Sequence, residues 1–212
     1  MKDLLIKQII VGEIDTNCFI AADPETLEGV VIDPGEEADR ILEAAEKSKI
    51  SIKHIIATHG HYDHLGAVNE LKKRTGADFI INKKDVFFAE NPAVNGSAFF
   101  GDGTVKAAAD KYVSEGDIIK VKGLEFKVIN TPGHTPGGIC LLSGKHLFSG
   151  DTLFNGSIGR TDFPKADQRD MLSSLAKLME LEDDTRVHPG HGEETTIGEE
   201  RRNNPFLQGL RR

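Results

Sequence analysis

The chain has 212 residues, 38% of them apolar and 28% charged, which is the make-up of one soluble globular domain and not of a disordered or fibrous chain. A net charge of −8 at pH 7 argues against a nucleic-acid partner, which would need clustered lysine and arginine to displace counterions. Residues 1–14 are broken by Asp3, Lys7, Gln8 and Glu13, and no apolar run is long enough to cross a bilayer, so the sequence points to a cytoplasmic protein without a membrane partner.

Residues 4–11, 18–22 and 30–32 read as strands, separated by the turn formers Asp15-Thr16-Asn17 and Asp23-Pro24. Asp33-Pro34-Gly35 then leads into 36–49, where Ala38, Ile41, Leu42 and Ala45 share one face of an amphipathic helix. Residues 52–57 form the next strand, which ends at Thr58-His59-Gly60-His61-Tyr62-Asp63-His64. Leu65, Val68 and Leu71 recur at helical spacing as far as Gly76, and 79–81 is again a strand. From 86 to 112 no period is clean. Phe87-Phe88, Asn91-Pro92, Asn95-Gly96, Phe99-Phe100 and Gly101-Asp102-Gly103 predict a long loop or lid, whose phenylalanines suit a pocket wall, a subunit contact or core packing. Strands follow at 118–121, 125–130, 138–142 and 146–149, then a helix over 167–181, a short strand at 186–188 and a short helix within 197–207. No repeat or linker divides the chain, so a single domain over 1–212 is expected.

The two cysteines, Cys18 and Cys140, lie in separate apolar segments and form no C-x-x-C pair, which predicts buried, reduced thiols. The histidines are distributed differently. Of eight, His59, His61 and His64 fall within six positions, with Asp63 among them, where a strand gives way to a helix. Neutral imidazoles and a carboxylate are the ligand set for zinc, manganese or iron. A polar turn with Asp63 as a helix cap would not need three histidines. His134, Asp151 and His191 each follow an apolar strand inside a glycine- or proline-rich turn, which fixes the direction of a side chain and allows close approach to an ion. His54 and His146 read as structural, and His188 lies near this set by sequence only.

The pattern His-x-His-x-Asp-His followed by His134, Asp151 and His191 resembles the metallo-β-lactamase superfamily over nearly the whole chain, including the turn Ile32-Asp33-Pro34-Gly35. The runs Gly150-Asp151-Thr152-Leu153-Phe154 and Gly159-Arg160-Thr161-Asp162-Phe163-Pro164 resemble its glyoxalase II-like branch, the hydroxyacylglutathione hydrolases and their short bacterial relatives. The resemblance implies an α/β fold, a four-layer αββα sandwich with metals between two mixed sheets. It also implies two divalent ions, zinc foremost with iron or manganese as options. His59, His61 and His134 would hold one, Asp63, His64 and His191 the other, and Asp151 both; Asp33 would orient a ligand histidine. Two such ions would leave a residual local charge of about +1 once Asp63, Asp151 and a shared hydroxide are counted.

By the same resemblance, Asp63, Asp151 and that hydroxide are the catalytic set, and the substrate is a small-molecule thioester whose thiol departs as thiolate without a strong acid. Arg160 stands nine residues after Asp151, where glyoxalase II enzymes carry a basic residue that contacts glutathione. An ion pair of Arg160 with Asp162 is the alternative. Asp162 replaces that family's aromatic residue, and the chain stops soon after Leu207, without the C-terminal helical domain that grips glutathione. A competing activity is that of the mononuclear-iron persulfide dioxygenases, which share the run Gly-Arg-Thr-Asp-Phe and would use His59, His134 and Asp151 alone. A nuclease or phosphodiesterase fits the acidic chain less well. A homo-oligomer is compatible with everything above.

Overall fold

The computed structural model describes residues 4–100 and 104–210. Six strands lie side by side in chain order in the first sheet: β1 (Leu5–Val11), β2 (Thr16–Ala22), β3 (Glu28–Ile32), β4 (Ser51–Ile56), β5 (Asp78–Asn82) and β6 (Lys111–Val113). Short turns join β1 to β3, which run antiparallel, whereas β3 to β6 are parallel. Parallel neighbours need a crossover, supplied by α1 (Ala38–Lys47) and α2 (Val68–Thr75). Two single helical turns, α3 (Val86–Ala89) and α4 (Ser97–Phe100), precede β6.

The second half of the chain contains β7 (Ile118–Val121), β8 (Leu124–Asn130), β9 (Ile139–Ser143), β10 (His146–Gly150), the small hairpin β11 (Leu153–Phe154) and β12 (Ser157–Ile158), α5 (Gln168–Leu178), β13 (Arg186–Pro189), β14 (Thr195–Thr196) and α6 (Ile197–Asn203). Its six-stranded sheet has the order β14-β13-β10-β9-β8-β7.

Side-chain alternation along the strands explains why the two sheets stack. Every residue of β2 is buried, with Cys18, Ile20 and Ala22 packed under Ile41 of α1 and Leu71 of α2, and Phe19 and Ala21 turned to the second sheet. There Phe126, Val128, Leu141 and Phe148 meet them, while Ile129, Cys140 and Leu147 face Met171, Leu175 and Leu178 of α5. The result is helix, sheet, sheet, helix: the αββα sandwich expected from the sequence. Strands covered on both faces carry continuous apolar runs, which is why they were legible as strands without polar alternation. Among the described residues no helix is long and apolar enough to cross a membrane. Both cysteines are buried and unpaired. Burial, with Asp33 nearby, holds the Cys18 thiol well above its usual pKa, and burial pushes Cys140 up to about 11.

Two expectations need correction. Residues 86–112 are not one irregular loop: α3 and α4 form within them, Phe88, Ala89, Asn95, Ser97 and Ala107 are buried, and Lys111 already belongs to β6. Four-residue helices are too short to display a period. The Gly101-Asp102-Gly103 part of that expectation lies outside the described residues. The helix expected from Leu65 begins instead at Val68, after a 3-10 turn at Tyr62–His64. Asp63 lies inside that turn, whose cap position is His61, and so caps no helix.

Candidate metal centre

The loops after β4, β8, β10 and β13 meet at one edge of the sandwich, and hydrogen bonds between the sheets hold them there. Ile139 N–H donates to Thr58 O (2.9 Å), Asn17 N–H to Gly190 O (2.7 Å), and Asn17 Nδ2 to Pro189 O and Gly192 O (both 2.9 Å). These contacts bring His59, His61, Asp63 and His64 into one cluster with His134, Asp151 and His191. Among the described residues three groups have ligand atoms within 4.8 Å of one another: His59, His61 and His134; Asp63, His64 and His191; and, joining the two, His59, His64 and Asp151.

The internal distances are those of atoms facing common points. His61 Nδ1 is 2.9 Å from His134 Nε2, and His64 Nε2 is 3.1 Å from Asp63 Oδ2 and 3.5 Å from Asp151 Oδ1. His134 Nε2 is 3.5 Å from Asp151 Oδ2, and His191 Nε2 is 3.3 Å from Asp63 Oδ2. Atoms bound tetrahedrally to zinc at about 2.1 Å stand roughly 3.4 Å apart, so the spacing suits coordination. His59 Nε2, His64 Nε2 and Asp151 Oδ1 are buried without a hydrogen-bond partner. Buried polar atoms are costly to leave unpaired, and three of them converging on one cluster fit bound cations. These residues make a binding cluster for two metal ions.

Three of the remaining ring nitrogens are engaged elsewhere, which fixes the orientation of those rings. His59 Nδ1 meets Thr58 Oγ1 (3.2 Å), His134 Nδ1 the carbonyl of Arg160 (2.8 Å), and His191 Nδ1 the carbonyl of Ile14 (3.1 Å). His64 Nδ1 lies 3.1 Å from Asp33 Oδ2 without the alignment of a hydrogen bond. Asp33 is therefore placed behind His64, and it also accepts from Thr58 N–H and Oγ1–H, both at 2.7 Å. Its φ of 53° is unusual for a residue before proline and stores about 1–3 kcal/mol of strain, held by those bonds.

The charges within the cluster are polarised. Burial, then the neighbouring His134, lowers His61 to a pKa of about 3, and burial with His64, His61 and His134 keeps His59 well below its usual value. At His64 burial acts in the same direction, but Asp63, Asp33 and Asp151 outweigh it and hold its pKa well above the usual range. Burial alone would raise Asp63; His64 and His191 instead keep it well below the usual carboxylate range.

Arg160 is engaged differently from a free anion anchor. Its guanidinium makes two bonds to Asp162 (2.9 and 2.8 Å) and lies 4.2 Å from the centroid of Phe163, while its carbonyl orients His134. It lines a cavity of about 540 Å³ in front of the cluster, together with Tyr62, Val94, Phe99, Phe154 and Phe163. His54 sits in β4 near Asp78 (3.8 Å), and His146, His188 and Glu194 form a separate hydrogen-bonded chain, so none of these three histidines belongs to the ligand groups.

Sequence reasoning missed Thr16, whose hydroxyl donates to Asp63 Oδ2 (3.3 Å), and Asp85, which bonds to Gly60, Thr135 and Gly137. The turn signal at Asp15-Thr16-Asn17 was visible, but its approach to His191 is a long-range bridge that local pattern cannot show. Gly190 marks another close approach. A Cβ there would stand 2.3 Å from Asp151 Oδ1 and 2.9 Å from His64 Cε1. Gly190→Ala is expected to cost about 1–3 kcal/mol in a denaturant titration and to lower metal content; unchanged stability and full metal content would show that the approach is not needed.

The chain's residues 11–191 match the model of the family described as the metallo-beta-lactamase superfamily. The hydroxyacylglutathione hydrolase GloC of Haemophilus influenzae is 40% identical over 95% of this chain and 97% of its own. Among solved structures, BLEG-1 B3 metallo-beta-lactamase superimposes with a TM-score of 0.92 at 35% identity, covering 97% of this chain and 100% of that one. TTHA1623 in a di-iron-bound form gives 0.83 at 34%, covering 95% and 100%. With its fold, its paired ligand groups and its sequence all in agreement over nearly the full length, the chain belongs to the metallo-β-lactamase superfamily and is of that family's metal-dependent hydrolase type.

Proposed function

We propose that the chain is a dinuclear thioesterase of the glyoxalase II-like type, cleaving hydroxyacyl esters of a small thiol such as S-lactoylglutathione. The observation that carries this reading is the pair of ligand groups joined through His59, His64 and Asp151. A mononuclear centre of His59, His134 and Asp151 would leave Asp63, His64 and His191 converging without a purpose. In this reading His59, His61 and His134 would hold one ion and Asp63, His64 and His191 the second, and Asp151 would be shared between them. When bound, two divalent ions polarise a carbonyl and make water acidic enough to attack near neutral pH.

The chain's own residues do the rest. Asp63, steadied by Thr16, accepts a hydrogen bond from the attacking water and orients it towards the carbonyl carbon. Val94, Phe99, Phe154 and Phe163, which line the cavity, keep bulk water from the bound ester. A thiol of pKa near 8.5 leaves as thiolate, so no acid is needed at the far side. Arg160 contacts the thiol carrier, because an exposed ion pair such as that with Asp162 is weak and readily exchanged for a substrate carboxylate.

Metal analysis together with a thiol-release assay tests this. Two ions per chain and thiol release from S-lactoylglutathione are expected. One iron per chain, with oxygen consumed on glutathione persulfide, would replace the reading with the dioxygenase one, and two ions without release from any thioester would overturn the substrate class.

A further inference from the structure

Asp85 belongs to none of the three ligand groups, yet its carboxylate is fully buried at the end of the 3-10 turn Lys83–Asp85 that follows β5. Its Oδ2 accepts from Gly60 N–H at 2.9 Å and from Thr135 Oγ1–H at 2.6 Å, and its Oδ1 accepts from Gly137 N–H at 2.6 Å. Gly60 lies between His59 and His61, and Thr135 and Gly137 lie in the turn that delivers His134. One side chain thus spans both stretches that supply the three-imidazole group. Asp63, His64 and His191 are steadied by other residues: Thr16, Asp33 and the carbonyl of Ile14.

A buried carboxylate is expensive unless its lone pairs are filled, and here three converging donors accompany it. Packing alone would be served by an apolar residue. The turn is also shaped around the carboxylate, since a Cβ at Gly137 would lie 2.6 Å from both Asp85 N and Oδ1. The distance at stake is that between His61 Nδ1 and His134 Nε2, 2.9 Å across two loops from different sheets. Ligand atoms must be held to about half an ångström for tight coordination. We propose that Asp85 is a positioning residue that sets the spacing of His59 and His61 against His134, and so governs retention of one ion and not the other. This rests on the two-ion reading above.

The test is chelator titration of the zinc-loaded protein, following loss of each ion, together with the absorption spectrum of the cobalt-substituted protein and the melting temperature of the metal-free one. In Asp85→Asn an amide N–H must face a backbone or hydroxyl donor, so at least one bond is lost at nearly constant volume. It is expected to weaken one ion roughly 10- to 100-fold and leave the other unchanged, in the pattern of His61→Ala and not of His191→Ala. Thr135→Val, which removes a single donor, is expected to give the same pattern with a smaller loss, and it serves as the reporter if Asp85→Asn does not fold. Two ions in the wild type with both unchanged in the variants, or both weakened alike alongside a lower metal-free melting temperature, overturn the inference alone. A wild type that holds fewer than two ions overturns the two-ion reading and the inference with it.

Discussion

Asparagine in place of Asp151 is expected to cut thioester hydrolysis on the order of a thousand-fold, the size of loss seen when a preorganised charge at a reacting centre is removed. Asp151 follows β10, and its two oxygens look both ways. Oδ1 is 3.5 Å from His64 Nε2, while Oδ2 is 3.5 Å from His134 Nε2 and 3.8 Å from His191 Nε2. No other side chain of the cluster reaches histidines from both three-residue groups through separate oxygens. The amide keeps the shape but loses one negative charge, leaving Asp63 as the only carboxylate among the seven to set against two divalent ions. Metal content and kcat/KM measured on the same preparation check this, with fewer than two ions per chain expected. Full metal content and wild-type turnover would remove Asp151 from the centre of the reaction.

Much of this architecture was legible in the sequence because its causes are local. The run from His59 to His64 sits where β4 stops, so three imidazoles and a carboxylate had to leave one strand end together. The His134, Asp151 and His191 turns carry the same strand-then-glycine signature. Strands buried on both faces, such as β2, are continuous apolar runs that need no tertiary information to be recognised. The residues that escaped are those whose role is set by distance in space. Asp85 looks like an ordinary polar residue in Asn82-Lys83-Lys84-Asp85, and only the folded chain shows three donors from two loops arriving at it. The carbonyls of Ile14 and Arg160, which fix His191 and His134, carry no side-chain signal at all. Arg160 illustrates the same limit from the other side: proximity to Asp162 in sequence suggested an ion pair, and the pair forms, yet the contact of its backbone with His134 was not deducible. The two-residue strands β11, β12 and β14 were too short for any pattern to reveal.

The metal-free protein is expected to melt at its highest temperature near pH 6.5, and zinc is expected to remove the decline on the alkaline side only. Four histidines of the cluster pull in opposite directions. Burial, with neighbouring imidazoles, lowers His59 and His61 in the fold, the latter to about 3. As pH falls below about 6.5 the unfolded chain binds protons that these two refuse, and stability is lost; for His61 the full effect is on the order of 5 kcal/mol. His64 and His191 have the opposite sign. Burial opposes their protonation, but Asp63, Asp33 and Asp151 overcome it at His64, and Asp63 with Asp151 overcomes it at His191, so both pKa values are raised. Their contribution is complete below about 6.5 and disappears as pH rises through the folded values. Asp63, held low mainly by His64 against the effect of burial, adds stability that persists above about 3.9 and is lost only in stronger acid. Bound ions need deprotonated imidazoles and take over the work that the protons on His64 and His191 do in the metal-free state. Loading should therefore raise the melting temperature most at high pH and least in acid, where protons compete for the same nitrogens. Thermal melts from pH 5 to 9, with chelator and with zinc, decide the matter. A metal-free curve that keeps rising above pH 6.5, or an alkaline decline that zinc leaves intact, would show that the acids around His64 do not hold its proton.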